Sequence, residues 1–242
     1  MRSKSIVYDM TFRHLVYYHK LFTNWIDIIY ELVKGNKDIN VELRHMNTYG
    51  ICDPQCITRL ADALEIFQYD LKSLKFHKGK LYMGSHEVIH NSWIMFLLSL
   101  CGFSKDGESI YNPYFNVKFT HSTWGIFENF CLKQYDIDVK DREVVDIGAN
   151  VGDSAIYFAA KGASRVYAFE PLPSIYEVAS QNVKINNVQN KITLINAAVG
   201  SKEGKIKIPS STSMKESGAF TIMNESILFY KRLDWRSGGF SC

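Results

Sequence analysis

The stretch that decides the fold reads Asp146-Ile-Gly-Ala-Asn-Val-Gly-Asp153. It follows a short apolar run over residues 143–147 that is typical of a buried strand, and it precedes a pattern that predicts a helix from about residue 153 to 161. Glycines at such a junction let the backbone turn tightly and approach a ligand, because they carry no Cβ. The free N–H groups of the following helix can face a polar ligand. The stretch therefore predicts a ligand-binding turn.

Two further elements extend the pattern towards the C-terminus. A second strand over residues 165–169 ends at Glu170, and a third over residues 191–198 contains Asn196 and Ala197. A helix over residues 174–186 separates them, and this alternation predicts a parallel sheet covered by helices. Ligands of such sheets bind beyond the carboxyl ends of the strands, where a carboxylate can accept hydrogen bonds from ribose hydroxyls.

The turn does not suit a dinucleotide. That fingerprint requires glycines at relative positions one, three and six. The sequence has Gly148, Asn150 and Asp153 there, so two positions fail. Asp153 would also repel a pyrophosphate at the helix N-terminus. S-adenosylmethionine (SAM) has a ribose and a cationic sulfonium but no phosphate, and it fits the pattern better.

Residues 144–204 resemble the class I SAM-dependent methyltransferases, most closely the FkbM type. Three segments carry the resemblance, namely Val144-Val-Asp-Ile-Gly-Ala-Asn-Val-Gly-Asp153, Val166-Tyr-Ala-Phe-Glu-Pro-Leu-Pro173 and Ile195-Asn-Ala-Ala-Val-Gly-Ser-Lys-Glu-Gly204. The resemblance implies an α/β fold, namely a Rossmann-like SAM-dependent methyltransferase fold with a partial parallel sheet. The alternative is an α/β domain whose glycines serve packing alone.

The resemblance also implies a set of cofactor-binding residues. It assigns four residues of the turn to the methionine part of SAM, one carboxylate to the ribose, and two residues after the third strand to the adenine. In that order they are Asp146, Gly148, Asn150 and Gly152; Glu170; and Asn196 and Ala197. No catalytic residue is assigned, and all seven histidines lie at or before His121.

The sequence departs from the family after the third strand. Only a hairpin, expected over residues 205–209 and 218–223, follows in place of the remaining strands, so we expect a methyltransferase domain truncated after its third core strand. In the family's sheet, strand one lies between strands two and four. We therefore expect residues 143–147 to form an apolar edge that promotes self-association, unless residues 116–120 cover it.

Residues 1–122 are expected to form a mainly helical N-terminal region, and residues 123–242 the incomplete SAM-binding domain. The apolar spacing predicts helices over the first 35 residues, over residues 57–74 and from Ser85 to about Leu100. One strand is expected over residues 41–51, and a loop over residues 106–116. A further helix is expected over residues 126–135.

A competing motif lies in the N-terminal region. His86-Glu87-Val88-Ile89-His90 fits the zincin pattern, in which two histidines on one helix face bind Zn²⁺ and the glutamate activates water. Glu108 could be a third ligand. Because Ser85 is placed as a helix cap, His86 falls in the first turn, and a zinc metalloprotease remains the less favoured alternative. Cys52 and Cys56 have no second cysteine pair to complete a four-ligand metal site, so no metal is expected.

Composition limits the partners of the chain. It has 242 residues, with 28 basic and 25 acidic side chains. Neither half is strongly basic, so no nucleic-acid partner is expected. The most apolar stretch is too short to span a bilayer. No signal peptide is visible and the five cysteines are scattered, so the expected location is cytoplasmic.

Together these features predict a SAM-dependent methyltransferase of the FkbM type. We expect it to methylate a hydroxyl oxygen of a small molecule or a sugar, so the expected partner is a small-molecule or glycan acceptor. The alternative from another class is a catalytically incomplete SAM-binding remnant or interaction module.

Overall fold

The computed structural model describes residues 14–65, 67, 70–90, 92–200, 204–208 and 226–231. The chain divides into two compact units, residues 1–105 and 106–242. No helix among the described residues is long and apolar enough to cross a bilayer.

The first unit begins with two helices, α1 (Leu15–Leu21) and α2 (Trp25–Lys34). Helix α2 buries Ile28 and Leu32, which are four residues apart and so lie on one face. It ends at Gly35, whose φ of +80° is a left-handed conformation that glycine adopts without steric cost.

A hairpin and a third helix follow. Strands β1 (Ile39–Leu43) and β2 (Thr48–Cys52) pair antiparallel, and helix α3 (Pro54–Glu65) begins directly after them. The Asp53 carboxylate accepts a hydrogen bond from the Cys56 N–H at 2.6 Å, so it caps this helix. The predicted single strand over residues 41–51 is thus two strands, and the predicted helix over residues 57–74 starts and ends earlier.

A small antiparallel sheet and one apolar helix complete the first unit. The sheet contains β3 (Leu74–His77), β4 (Lys80–Met83) and β5 (His86–Glu87) in that order. Helix α4 (Trp93–Leu100) is capped by Ser92, whose hydroxyl accepts a hydrogen bond from the Met95 N–H at 3.2 Å. The prediction that Ser85 caps a helix is therefore wrong, because Gly84, at a φ of +61°, turns the chain into β5 instead.

The division between the units falls inside β6 (Ser104–Asp106). Beyond it, β7 (Ser109–Asn112) and β8 (Val117–Phe119) form a hairpin where the sequence predicts a loop. A short helix, α5 (Trp124–Ile126), continues as a π-helix over Phe127–Cys131.

The centre of the second unit is a parallel sheet. Its strands are β9 (Glu143–Ile147), β10 (Arg165–Phe169) and β11 (Ile192–Ile195), joined by helices α6 (Asp153–Ala160) and α7 (Pro173–Ile185). The strand order is β11-β10-β9. The predicted α/β, Rossmann-like fold with a partial parallel sheet is confirmed.

Three more strands follow the parallel sheet. Strand β12 (Ala198–Val199) pairs parallel with β14 (Ser226–Lys231), and β13 (Gly204–Ile208) pairs antiparallel with β14. The first arm of the predicted hairpin, residues 205–209, corresponds to β13. The second predicted arm, residues 218–223, lies outside the described residues.

The N-terminal 122 residues contain more strand than the sequence predicts. Eight strands, β1 to β8, lie among their described residues beside four helices. Residues with positive φ close these short strands into turns, such as Asn47, Lys78 and Asn116. These strands have two to five residues, with polar residues at alternate positions, and so resemble loops in a sequence. Only the helices of this region show a clear pattern, which is why a mainly helical region is predicted there.

Residues 117–120 join the second unit through Asn182 of α7 and Asn186, the residue directly after that helix. The Lys118 N–H donates to Asn186 Oδ1 at 2.8 Å, and the Thr120 N–H donates to Asn182 Oδ1 at 2.9 Å. The compact division therefore lies at residue 105, whereas the sequence analysis places it at residue 122. The same bonds hold β8 against α7, and the strand order leaves β9 as the described edge of its sheet.

Candidate functional site

The turn between β9 and α6 has an unusual backbone conformation. Gly148, Asn150 and Gly152 all have positive φ, at +84°, +48° and +82°. Three left-handed residues within five curl the backbone back on itself, and glycine accommodates this at two of the three positions. A Cβ placed on Gly148 would meet nothing within 4 Å, so this residue borders open space.

The turn is fastened to the end of β10 by backbone bonds. The N–H groups of Gly148 and Ala149 both donate to the Phe169 carbonyl, each at 2.9 Å. The Glu170 N–H in turn donates to the Ile195 carbonyl at 3.0 Å. The carboxyl ends of all three parallel strands are therefore held together, as the sequence predicts.

Glu170 is the central side chain of this edge. Its side chain is buried, at 5% exposure, and its two carboxylate oxygens accept N–H bonds from Asn150 and Leu172, each at 2.9 Å. Burial raises the pKa of this carboxyl, and the two backbone bonds lower it. Each carboxylate oxygen has two acceptor sites, so two N–H bonds leave acceptor capacity for a ligand.

Asn196 and Ala197 lie at the end of β11. The Asn196 amide donates to the Glu170 carbonyl at 2.8 Å and to the Pro171 carbonyl at 3.2 Å, so it ties the third strand to the second. The Asn196 side chain is exposed, whereas Ala197 is buried at 1% exposure. Asn196 therefore borders solvent at this edge, and Ala197 does not.

Asp146 is half-buried near the end of β9. Its Oδ2 accepts a hydrogen bond from the Ser154 hydroxyl at 2.6 Å. Burial raises the pKa of Asp146, and the bond from Ser154 lowers it. The charge of Asp146 also makes a small contribution to the raised pKa of Glu170, after the larger effect of burial.

Gly152 has a packing role in this structure. It is buried, and a Cβ placed on it would lie 3.4 Å from the Cβ of Ala179 in α7. Its N–H donates to the Ala149 carbonyl at 2.8 Å. Of the seven predicted residues, Asp146, Gly148, Asn150 and Asn196 lie at least partly exposed at one edge, while Glu170, Gly152 and Ala197 are buried behind it.

Sequence reasoning missed a buried pair beneath the turn. Asp153 is 4% exposed and accepts a hydrogen bond from the Asn129 amide at 2.6 Å. Its other oxygen, and Asn129 Oδ1, are buried without a partner. Burial, with smaller contributions from the charges of Asp146 and Glu128, raises the pKa of Asp153 to about 7, although hydrogen bonds from the backbone and from Asn129 act to lower it. The sequence offers one signal of this buried carboxyl: Asp153 is an acidic residue at the start of a helix whose other residues are mostly small or apolar.

Asn182 is a second residue that the sequence did not single out. It is 1% exposed, and its amide donates to the Val151 carbonyl in the turn at 2.8 Å while its oxygen accepts the Thr120 N–H. A polar residue on the buried face of an amphipathic helix is a detectable signal, but its partners are distant in sequence. Asn182 therefore links the turn to the β7–β8 hairpin.

The structure does not support a zincin site at residues 86–90. His86 and Glu87 lie on β5, and Met83 pairs with His86 across the sheet. The motif needs both histidines on one helix face. His86 is on a strand and His90 follows it in an irregular segment, so the i, i+4 geometry is not present.

Comparison with known proteins identifies the same segment. Residues 146–232 match the family model described as the Methyltransferase FkbM domain. This range starts at Asp146 and includes the other six predicted site residues.

Two curated relatives are arginine methyltransferases. Protein arginine N-methyltransferase 6 of Xenopus tropicalis is 32% identical over 104 residues, which cover 42% of this chain and 30% of that protein. Histone-arginine methyltransferase CARMER of Drosophila mojavensis is 32% identical over 94 residues, covering 38% of this chain and 16% of that one. The chain thus spans less than a third of the length of these relatives.

Similarity to solved structures is limited. The crystal structure of PRMT6-SAH is 26% identical, covers 27% of this chain and 19% of that chain, and has a TM-score of 0.25. A SAM-dependent methyltransferase from Agrobacterium tumefaciens is 14% identical, covers 66% and 50% of the two chains, and has a TM-score of 0.30. The family match and the sequence relatives agree with the observed turn and sheet, and they confirm that residues 146–232 resemble the FkbM domain of SAM-dependent methyltransferases.

Proposed function

We propose that the second unit binds SAM beyond the carboxyl ends of β9, β10 and β11 and transfers its methyl group. The observation that carries this proposal is the edge around Glu170. A buried carboxylate fastens the Gly148–Gly152 turn to β10 and keeps acceptor capacity at a point where open α/β sheets bind ligands.

The predicted residues fit SAM by their chemistry. In this proposal Glu170 accepts hydrogen bonds from the ribose hydroxyls, and Asn196 and Ala197 border the adenine. Asp146, Gly148, Asn150 and Gly152 hold the methionine part. The open space before Gly148 gives the ligand close access to the backbone, and Gly152 acts through the shape of the turn.

Bound SAM supplies an electrophilic methyl group on a sulfonium. The C–S bond breaks as the acceptor's bond to carbon forms, and the acceptor loses a proton. The task of the chain is to hold the methyl group in line with the acceptor atom, which can supply much of the rate enhancement. No residue is assigned as the base, although the second unit contains one histidine, His121, whose Nδ1 lies 2.9 Å from Thr120 Oγ1.

We propose a hydroxyl oxygen of a small molecule or glycan as the acceptor, following the FkbM resemblance. The relatives support a second candidate, an arginine nitrogen in a protein, because two arginine methyltransferases are 32% identical to 104 and 94 residues of the chain. The proposed location remains cytoplasmic, on sequence grounds only.

A two-step experiment tests the function. Titration calorimetry with SAM measures binding, and radiolabelled SAM then measures methyl transfer to sugars and small alcohols, with arginine-rich histone peptides in parallel. Saturable SAM binding and label on a hydroxyl compound support the proposal. Label on the peptides alone would favour an arginine nitrogen over a hydroxyl oxygen as the acceptor. The absence of any SAM binding would contradict the cofactor assignment.

The rival is a SAM-binding remnant without turnover. It is favoured by the strand order, in which β9 is an edge strand among the described residues. Binding of SAM without methyl transfer to either acceptor class would support the remnant over the enzyme.

A further inference from the structure

Two thiols of the first unit lie in contact. Cys52 is the last residue of β2, and Cys56 is in the first turn of α3. Their Sγ atoms are 2.9 Å apart, and the side chains are 3% and 2% exposed. This contact lies outside the matched methyltransferase segment.

The local backbone holds the two thiols in place. The Asp53 carboxylate accepts the Cys56 N–H at 2.6 Å, and Pro54 starts the helix with a preset φ. Cys52 in turn pairs with Ile39 across the β1–β2 hairpin. Both cysteines thus sit on ordered elements, so little backbone motion is needed to bring the sulfurs to bonding distance.

We propose that Cys52 and Cys56 are a modification site that closes to an intrachain disulfide, with a small-molecule disulfide such as oxidised glutathione as the oxidant. One cysteine thiolate attacks the oxidant and releases one glutathione thiolate. The second cysteine thiolate then displaces the other glutathione and forms the S–S bond. Two electrons pass to the oxidant, and the two protons of the cysteine thiols end on the two released glutathione molecules.

A metal is the alternative ligand for two adjacent thiols. A structural zinc site takes four ligands. Among the described residues, the groups of three or more metal-binding side chains comprise His14, Asp62 and Glu65 only, and neither cysteine is in that group. The described surroundings of the pair therefore favour a bond between the sulfurs over a metal centre.

Burial determines when the bond can form. The hydrogen bond with Cys56, followed by burial, raises the pKa of the Cys52 thiol, so little thiolate is present in the folded protein. The disulfide should therefore close during folding or local opening, and resist reductants once the first unit is folded.

Peptide mapping of the full-length protein tests the site. Trypsin cleavage after Arg44 and Arg59 releases residues 45–59, which contain Cys52 and Cys56 and none of the other cysteines. The protein is unfolded, refolded with oxidised and reduced glutathione, denatured without reductant, alkylated and digested. We expect this peptide to be unalkylated and lighter than the dithiol form by two hydrogen atoms.

Controls define the outcome. Reduction in denaturant before alkylation should place two alkyl groups on the same peptide. In Cys56→Ser the peptide should lose the two-hydrogen deficit, with Cys52 alkylated or carrying glutathione. Circular dichroism of each variant confirms folding. Two alkylated cysteines in the refolded parent, or bound zinc that is lost in Cys52→Ser, would overturn the proposal.

Discussion

The two sides of strand β9 differ in their hydrogen bonding: the strand is paired on one side and is an edge among the described strands on the other. On one side it pairs with β10, and the turn that follows it is tied to β10 by the Glu170 carboxylate and the Phe169 carbonyl. The other side is an edge among the described strands, where the Val145 and Ile147 side chains are 42% and 62% exposed. The comparison shows that hydrogen bonds join the polar groups on the paired side, while the edge side exposes apolar side chains.

The largest expected effect concerns the buried carboxyl on the paired side. Asp153 has a pKa of about 7 in the folded protein and an ordinary value of 3.8 when unfolded. A raised carboxyl pKa means that the native state binds the extra proton, so its stability falls as pH rises from about 4 to about 7. Between pH 5 and 8 we expect a loss on the order of 3 kcal/mol in the free energy of unfolding.

Urea unfolding at the two pH values measures this loss. Asp153→Asn keeps the size and the acceptor for Asn129 but cannot ionise, so its free energy of unfolding should change much less and exceed that of the parent at pH 8. Glu177→Gln, an exposed position on α7, serves as the control and should retain the parent's slope. An equal slope in Asp153→Asn and the parent would show that Asp153 is not the titrating group.

The second effect concerns Glu170. Glu170→Ala removes the acceptor of two N–H groups and of the proposed ribose bonds. Loss of charge-assisted hydrogen bonds should weaken SAM binding by about 1.5–3 kcal/mol, roughly 10- to 150-fold in dissociation constant. Calorimetry with Glu177→Ala as the matched control measures it. SAM binding as tight as in the parent would remove Glu170 from the proposed ribose site.

The third prediction separates ligand contact from backbone strain at Gly148. Gly148 and Gly35 have φ values of +84° and +80°, and a Cβ at either would meet nothing within 4 Å. Gly148→Ala and Gly35→Ala should therefore lose similar stability, about 1 kcal/mol each, through left-handed strain. Only Gly148→Ala should weaken SAM binding, by roughly tenfold, or about 1.4 kcal/mol. Equal SAM affinity in both variants would mark Gly148 as a turn glycine without ligand contact.

The smallest effect tests the edge side. If the apolar edge promotes self-association, Val145→Lys should lower the association constant by several-fold, on the order of 1 kcal/mol, because a charge on an edge strand opposes pairing. Sedimentation velocity over a range of concentrations measures it. Ile185→Lys, on the exposed part of α7, is the control for a general gain in charge. A parent protein that is monomeric at all concentrations would contradict the premise.

The sequence was most informative where local rules decide the structure. The two strand–helix junctions of the parallel sheet, after β9 and after β10, follow from hydrophobic runs and from glycines and prolines that are adjacent in sequence. Glu170 and Asn196 could be placed at one edge because parallel strands bring their carboxyl ends together. The first unit was harder to predict, since its strands are too short to show a clear period and His86 lies in a hairpin whose turn depends on Gly84.

Sequence alone determined the order β-α-β-α-β in the second unit and the position of the glycine turn after β9, because each depends on backbone rules acting over a few positions. Only the tertiary structure decided which of the candidate residues border open space. In the folded protein Gly152 packs against Ala179, and Ala197 is buried. The tertiary structure also brought Asn129 to Asp153 and Asn182 to Val151, pairs separated by 24 and 31 positions. Such contacts depend on how helices pack against a sheet, and that packing is set by the whole unit rather than by neighbours in the chain.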